Sequence, residues 1–97
     1  MGKLEYNSSR PSIEVDDETL VHVKIVMGTK LRRQESFMMT WTADSPNRRR
    51  MTAWMHPSIP LIIEFDSDPV PAVDPRRVER MMGSLNARGE LILDDLR

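Results

Sequence analysis

At 97 residues the chain has room for one domain, and 39% hydrophobic with 30% charged residues suits a packed core and excludes wholesale disorder. Fourteen Lys and Arg against fifteen Asp and Glu give a net charge of -1, which disfavours both a globally basic nucleic-acid binder and an acidic DNA mimic. The absence of cysteine rules out a disulfide framework, a thiol nucleophile and a thiolate zinc site.

Residues 1–11 are polar, mix Lys3, Glu5 and Arg10 with scattered apolar residues, and end in Arg10-Pro11. They read as a loose N-terminal arm without the apolar core of an export signal. No apolar run approaches the ~20 residues that cross a bilayer. The expected location is therefore the cytoplasm, away from membranes.

Ile13 and Val15 alternate with polar neighbours and predict a short strand, followed by a charged turn at Asp16-Asp17-Glu18. From Thr19 to Met27 the period is two, with Val21, Val23, Ile25 and Met27 on one face, which predicts a strand. Gly28-Thr29 reads as a turn. Leu31–Thr42 reads as a second strand with Phe37, Met39 and Trp41 inward, and Asp44-Ser45-Pro46-Asn47 as a loop. Met51–His56 predicts a third long strand with Met51, Ala53 and Met55 on its core face, and the two prolines of His56–Pro60 predict a turn.

Leu61–Phe65 follows as a strand, with Leu61, Ile63 and Phe65 inward. Pro69 and Pro71 make residues 68–74 an extended connector. Asp74-Pro75 is a helix start, an acidic cap followed by proline in the first turn. Val78, Met81, Met82 and Leu85 form one apolar helical face, and Asn86 or Gly89 should end the helix. Leu91-Ile92-Leu93 predicts a last short strand. The expected fold is α+β: one small antiparallel sheet of about 4–6 strands with one C-terminal helix packed on a face.

Two basic clusters stand out, Lys30-Leu31-Arg32-Arg33 and Arg48-Arg49-Arg50. Lys30, Arg32, Arg33, Arg48, Arg49 and Arg50 are the candidates for phosphate contact. With the first cluster at a hairpin turn and about ten strand residues at ~3.3 Å each between them, they lie ~30 Å apart. The same pairing brings Asp16–Glu18, Glu64, Asp66 and Asp68 to the end of the sheet that holds Arg48–Arg50. Ion pairing, or recognition of an acidic protein surface, is then favoured over nucleic-acid binding.

No constellation carries catalysis. His22 and His56 fall on the polar phase of their strands with no acid in register, no serine sits in a strand–turn–helix elbow, and the four glycines are isolated. Glu64-x-Asp66-x-Asp68 is the acid spacing closest to a cation site, but it lacks the glycine and distal glutamate of a calcium loop. No enzyme activity, cofactor or metal is expected.

Eight methionines mostly fill the core. Val26, Met38, Trp54 and Ile62, however, sit in the phase opposite the core residues of their strands. Met38, Trp54 and Ile62 come from three consecutive strands, and such a patch is seldom left open on a monomer. The expected function is a non-enzymatic interaction module (an adaptor, inhibitor or assembly subunit) that forms a homodimer or docks a protein. Its expected interface residues are Met38, Trp54, Ile62 and Arg48–Arg50. Nucleic-acid binding through the Arg48–Arg50 loop is the alternative.

Overall fold

The computed structural model describes residues 2–6, 13–42 and 49–96. The predicted loop at 44–47 and Arg48 lie outside them. The chain runs β1 (Gly2–Tyr6), β2 (Ile13–Val15), α1 (Asp17–Arg32), β3 (Phe37–Thr42), β4 (Arg50–Met55), β5 (Leu61–Glu64), α2 (Pro75–Arg88) and β6 (Glu90–Ile92), closing in a 3-10 turn at Leu93–Leu96.

The largest departure from the sequence reading is α1, where a strand over Thr19–Met27 and a turn at Gly28-Thr29 were expected. The helix starts because the Asp16 carboxylate accepts from the backbone N–H of Thr19 at 3.1 Å and from its hydroxyl at 2.9 Å. Acids Asp17 and Glu18 then occupy the positive end of the helix dipole, and Lys30 and Arg32 the negative end. Leu20, Val23 and Met27 are all fully buried, at helical rather than strand spacing. The alternation of β-branched residues was a real strand signal that tertiary packing overrode.

α2 forms where the sequence places it. Asp74 caps it by accepting from the Arg76 N–H at 3.0 Å, Pro75 opens the first turn, and Gly89 at φ 69 ends it in the left-handed region. Met81 and Leu85 are buried and Val78 and Met82 are half-buried, so the predicted face is the packed one.

The single sheet of about 4–6 strands is instead two sheets of three, ordered β2-β1-β5 and β4-β3-β6. The α+β class stands, with two helices rather than one. β1 pairs antiparallel with both β2 and β5, so Gly2–Tyr6 is a central strand where the sequence suggested a loose arm. Its polar composition fits because Lys3 and Glu5 point to solvent while Leu4 is fully buried. A Cβ on Gly2 would come within 2.7 Å of the Glu64 carbonyl oxygen and 2.4 Å of Leu20 Cδ2, so only glycine fits there. β3 pairs antiparallel with β4 and parallel with β6. β4 and β5 do not pair, which removes the expected hairpin between Met51–His56 and Leu61–Asp66.

One core joins all the layers: Leu4 and Val15 from the first sheet, Leu20, Val23 and Met27 from α1, Phe37, Met39, Met55 and Leu91 from the second sheet, and Met81 and Leu85 from α2. Trp41, Ala53 and Phe65 pack half-buried against it, while Met51 on the edge strand β4 is exposed despite its core-face phase. Among the described residues no helix is long and apolar enough to cross a membrane.

Candidate interaction face

Strand alternation gives the second sheet an inner face of Phe37, Met39, Met55 and Leu91, and an outer face that the core does not use. On the outer face Met38 pairs with Trp54, Thr40 with Thr52 and Thr42 with Arg50 across β3 and β4, while Glu90 and Ile92 stand beside Met38 and Thr40 on β6. Trp54 is 54% exposed and Met38 38%. They form a cross-strand apolar pair at one end of the face.

The middle of the face is a polar ladder. The Thr40 hydroxyl donates to the Glu90 carboxylate and lies 2.8 Å from the Thr52 hydroxyl. At the far end Thr42 Oγ1 donates to Asp94 at 2.6 Å. Both acids are therefore held by the sheet. The backbone beneath Trp54 is also pinned: the Tyr6 hydroxyl donates to the Trp54 carbonyl and accepts from the His56 N–H at 3.2 Å, which ties β4 to the first sheet. The indole is thus presented on a fixed strand, which lowers the ordering cost of docking a partner.

Ile62 is exposed but not part of this patch. It lies on β5 at the edge of the other sheet, opposite Glu5. The expected contiguity of Met38, Trp54 and Ile62 holds only for the first two, because β5 chose β1 as its partner. Val26 leaves the set altogether, being fully buried in α1.

The basic clusters also move. Lys30–Arg33 is not a hairpin turn but the last turn of α1: Lys30 Nζ donates to Asn86 Oδ1 at 2.6 Å and pairs with Glu35 at 3.5 Å, and Arg32 Nε donates to the Gly28 carbonyl. Arg49 and Arg50 are exposed at the start of β4. Arg50 faces Thr42, at the other end of β3 from Phe37, ~17 Å along the strand. The β4–β5 hairpin expected to bring Glu64, Asp66 and Asp68 to that end does not form. Asp17 accepts from the backbone N–H groups of Asp66 and Ser67 and from the Ser67 hydroxyl, so the start of α1 is tied to the segment after β5. The Ser67 hydroxyl chiefly, with desolvation opposing and those two N–H groups assisting, holds the Asp17 carboxyl below its ordinary value.

His22, expected at the surface, is 3% exposed. Its Nε2 accepts from the Asp74 N–H at 2.9 Å, so Nδ1 carries the proton and donates to the Glu18 carbonyl. This neutral ring joins α1 to the cap of α2, with Arg77 donating to Thr19 at 2.7 Å beside it. His56 is exposed, and its Nδ1 accepts from the Ser58 N–H. Among the described residues no three His, Asp or Glu side chains come together as a cation site, and Glu64, Asp66 and Asp68 do not converge. Sequence reasoning missed Tyr6 and Thr40 as residues that fix this face; the half-apolar alternation of Gly2–Tyr6 was the available signal.

Over residues 1–95 the chain matches the protein family described as Domain of unknown function (DUF7882), and it belongs to that family. No curated protein and no solved structure matches the chain.

Proposed function

We propose that this is a non-enzymatic protein-interaction module of the cytoplasm, a self-associating accessory or regulatory protein that docks a partner on the outer face of β4-β3-β6. The observation that carries the reading is the Met38–Trp54 pair: two large apolar side chains, directly opposed and exposed, on a strand anchored by Tyr6. Tryptophan at the centre of an apolar patch is the residue type that dominates binding energy at interfaces. The hydrogen bonds that hold His22 between α1 and α2 support a structural rather than a catalytic histidine.

The test is comparative capture from the source cell with the wild-type chain, Trp54→Ala, Met38→Ala and the exposed control His56→Ala. A partner retained by wild type and control but lost with both face variants is the expected result. Capture that ignores Trp54 and Met38 counts against the face.

One observation keeps nucleic-acid binding as a second reading. Arg50, Thr52 and Trp54 alternate along one side of β4, and among the described residues neither Arg49 nor Arg50 makes an ion pair. A cation and an aromatic on the same side of one strand suit a single-stranded nucleic acid. Retention on a polyanion that falls steeply with salt and is lost in Arg49→Ala/Arg50→Ala supports it. That variant should change stability by less than about 0.5 kcal/mol.

A further inference from the structure

The apolar end of the outer face holds a third side chain. Met38 pairs with Trp54 on β4 and stands in register with Glu90 on β6, and residues in register on neighbouring strands share a face. Neighbouring strands lie ~4.8 Å apart, so Trp54 and Glu90 stand ~10 Å apart with Met38 between them. An aromatic ring, an apolar floor and a carboxylate thus lie in one row across the sheet.

Glu90 is ordered but not neutralised. Its Oε1 accepts the Thr40 hydroxyl, which holds the side chain in place before a partner arrives. Among the described residues its Oε2 has no partner and the carboxylate makes no ion pair. The indole across Met38 is uncommitted as well. Among the described residues Lys24 lies over the Phe65 ring, and no cation lies over Trp54.

The two ends of the face differ in charge. The far row sets Arg50 and Asp94 on either side of Thr42, so its charges offset each other. The near row carries Glu90 alone, and Arg50 is four strand residues, ~13 Å, from Trp54. The near row therefore attracts a cation.

We propose that this row recognises an arginine side chain of the partner protein. The guanidinium stacks on the Trp54 indole and pairs with Glu90 Oε2, and its alkyl stem lies on Met38. Arginine is the cation that fits, because its planar group stacks on a ring and bonds a carboxylate at once. A phosphate backbone would instead meet the uncompensated charge of Glu90. The assignment rests on the outer-face reading above and adds the chemistry of the partner.

The test is an NMR titration of the isotope-labelled full chain with acetyl-Leu-Arg-Leu-amide and acetyl-Leu-citrulline-Leu-amide at millimolar concentration. Citrulline keeps the shape of arginine and loses its charge. The arginine peptide should shift the Trp54 indole and the Glu90 amide, and the citrulline peptide should bind about threefold or more weakly. Glu90→Gln retains an oxygen for the Thr40 hydroxyl and removes the charge. It should weaken the arginine peptide about two- to fivefold and leave the citrulline peptide unchanged. No response of Trp54 to the arginine peptide, equal affinity for the two peptides, or arginine binding indifferent to Glu90→Gln overturns the proposal. A Trp54-dependent partner captured undiminished by Glu90→Gln also overturns it, and leaves the outer-face reading intact. Arginine selectivity that depends on Glu90, with no Trp54-dependent partner captured, counts against the outer-face reading alone.

Discussion

α1 and α2 are of similar length, sixteen and fourteen residues, yet they are held from different sides. α2 is a surface helix: Met81 and Leu85 are buried, Val78 and Met82 flank them, and Arg76, Glu79, Arg80 and Asn86 face water. The first half of α1 has no such stripe. Thr19, Leu20, Val21, His22 and Val23 are consecutive and all buried, and five residues span more than a full turn. Between exposed Glu18 and Lys24, these five residues are enclosed around the helix circumference. A helix enclosed in this way carries apolar residues in every phase, and its pattern stops distinguishing a period of 3.6 from a period of two.

The contrast makes quantitative expectations. Leu20→Ala in the enclosed turn should cost about 2–5 kcal/mol, whereas Met82→Ala on the flank of α2 should cost less, at about 1–2 kcal/mol. Equal losses in chemical denaturation would mean that the two helices are packed alike. His22→Phe should cost about 1–3 kcal/mol, because it leaves the Asp74 N–H without its acceptor. Amide exchange should then rise first at the start of α2, which shows that α2 depends on α1.

The caps sharpen the comparison at a smaller scale. Asp16→Ala and Asp74→Ala should each cost about 0.5–2 kcal/mol. The former should be larger, since Asp16 also holds the Thr19 hydroxyl that receives Arg77. The smallest effect is electrostatic. The folded pKa of Asp17 lies below its unfolded value, so its contribution is full above the ordinary carboxylate range and is lost as pH falls through the folded value. Asp17→Asn should therefore flatten the acid limb of a stability–pH curve; an unchanged limb would show that the Ser67 contact contributes nothing.

The candidate face was partly legible in the sequence. Met38 and Trp54 were out of phase with the core residues of their own strands, and both are exposed in register. Ile62 obeyed the same rule but landed on another sheet, because phase along a strand says which face a residue occupies and nothing about which strand lies alongside. The expected acids beside Arg48–Arg50 rested on a β4–β5 hairpin, and β5 pairs with β1 instead.

Local chemistry, then, determined β2, most of β3, β4 and β5, and all of α2 with its Asp74 cap and Gly89 stop, since alternation, caps and turn residues act within a few positions. It also contained the Asp16 cap and the acidic-to-basic polarity of α1, but these were outweighed by the β-branched run at Val21, Val23 and Ile25. The tertiary structure alone decided that this segment is a helix, that Gly2–Tyr6 is a central strand, and that six strands divide into two sheets. Those choices turn on burying Leu4, Leu20, Val23 and Met27 in one core shared by distant segments, a free energy that no short window of sequence contains.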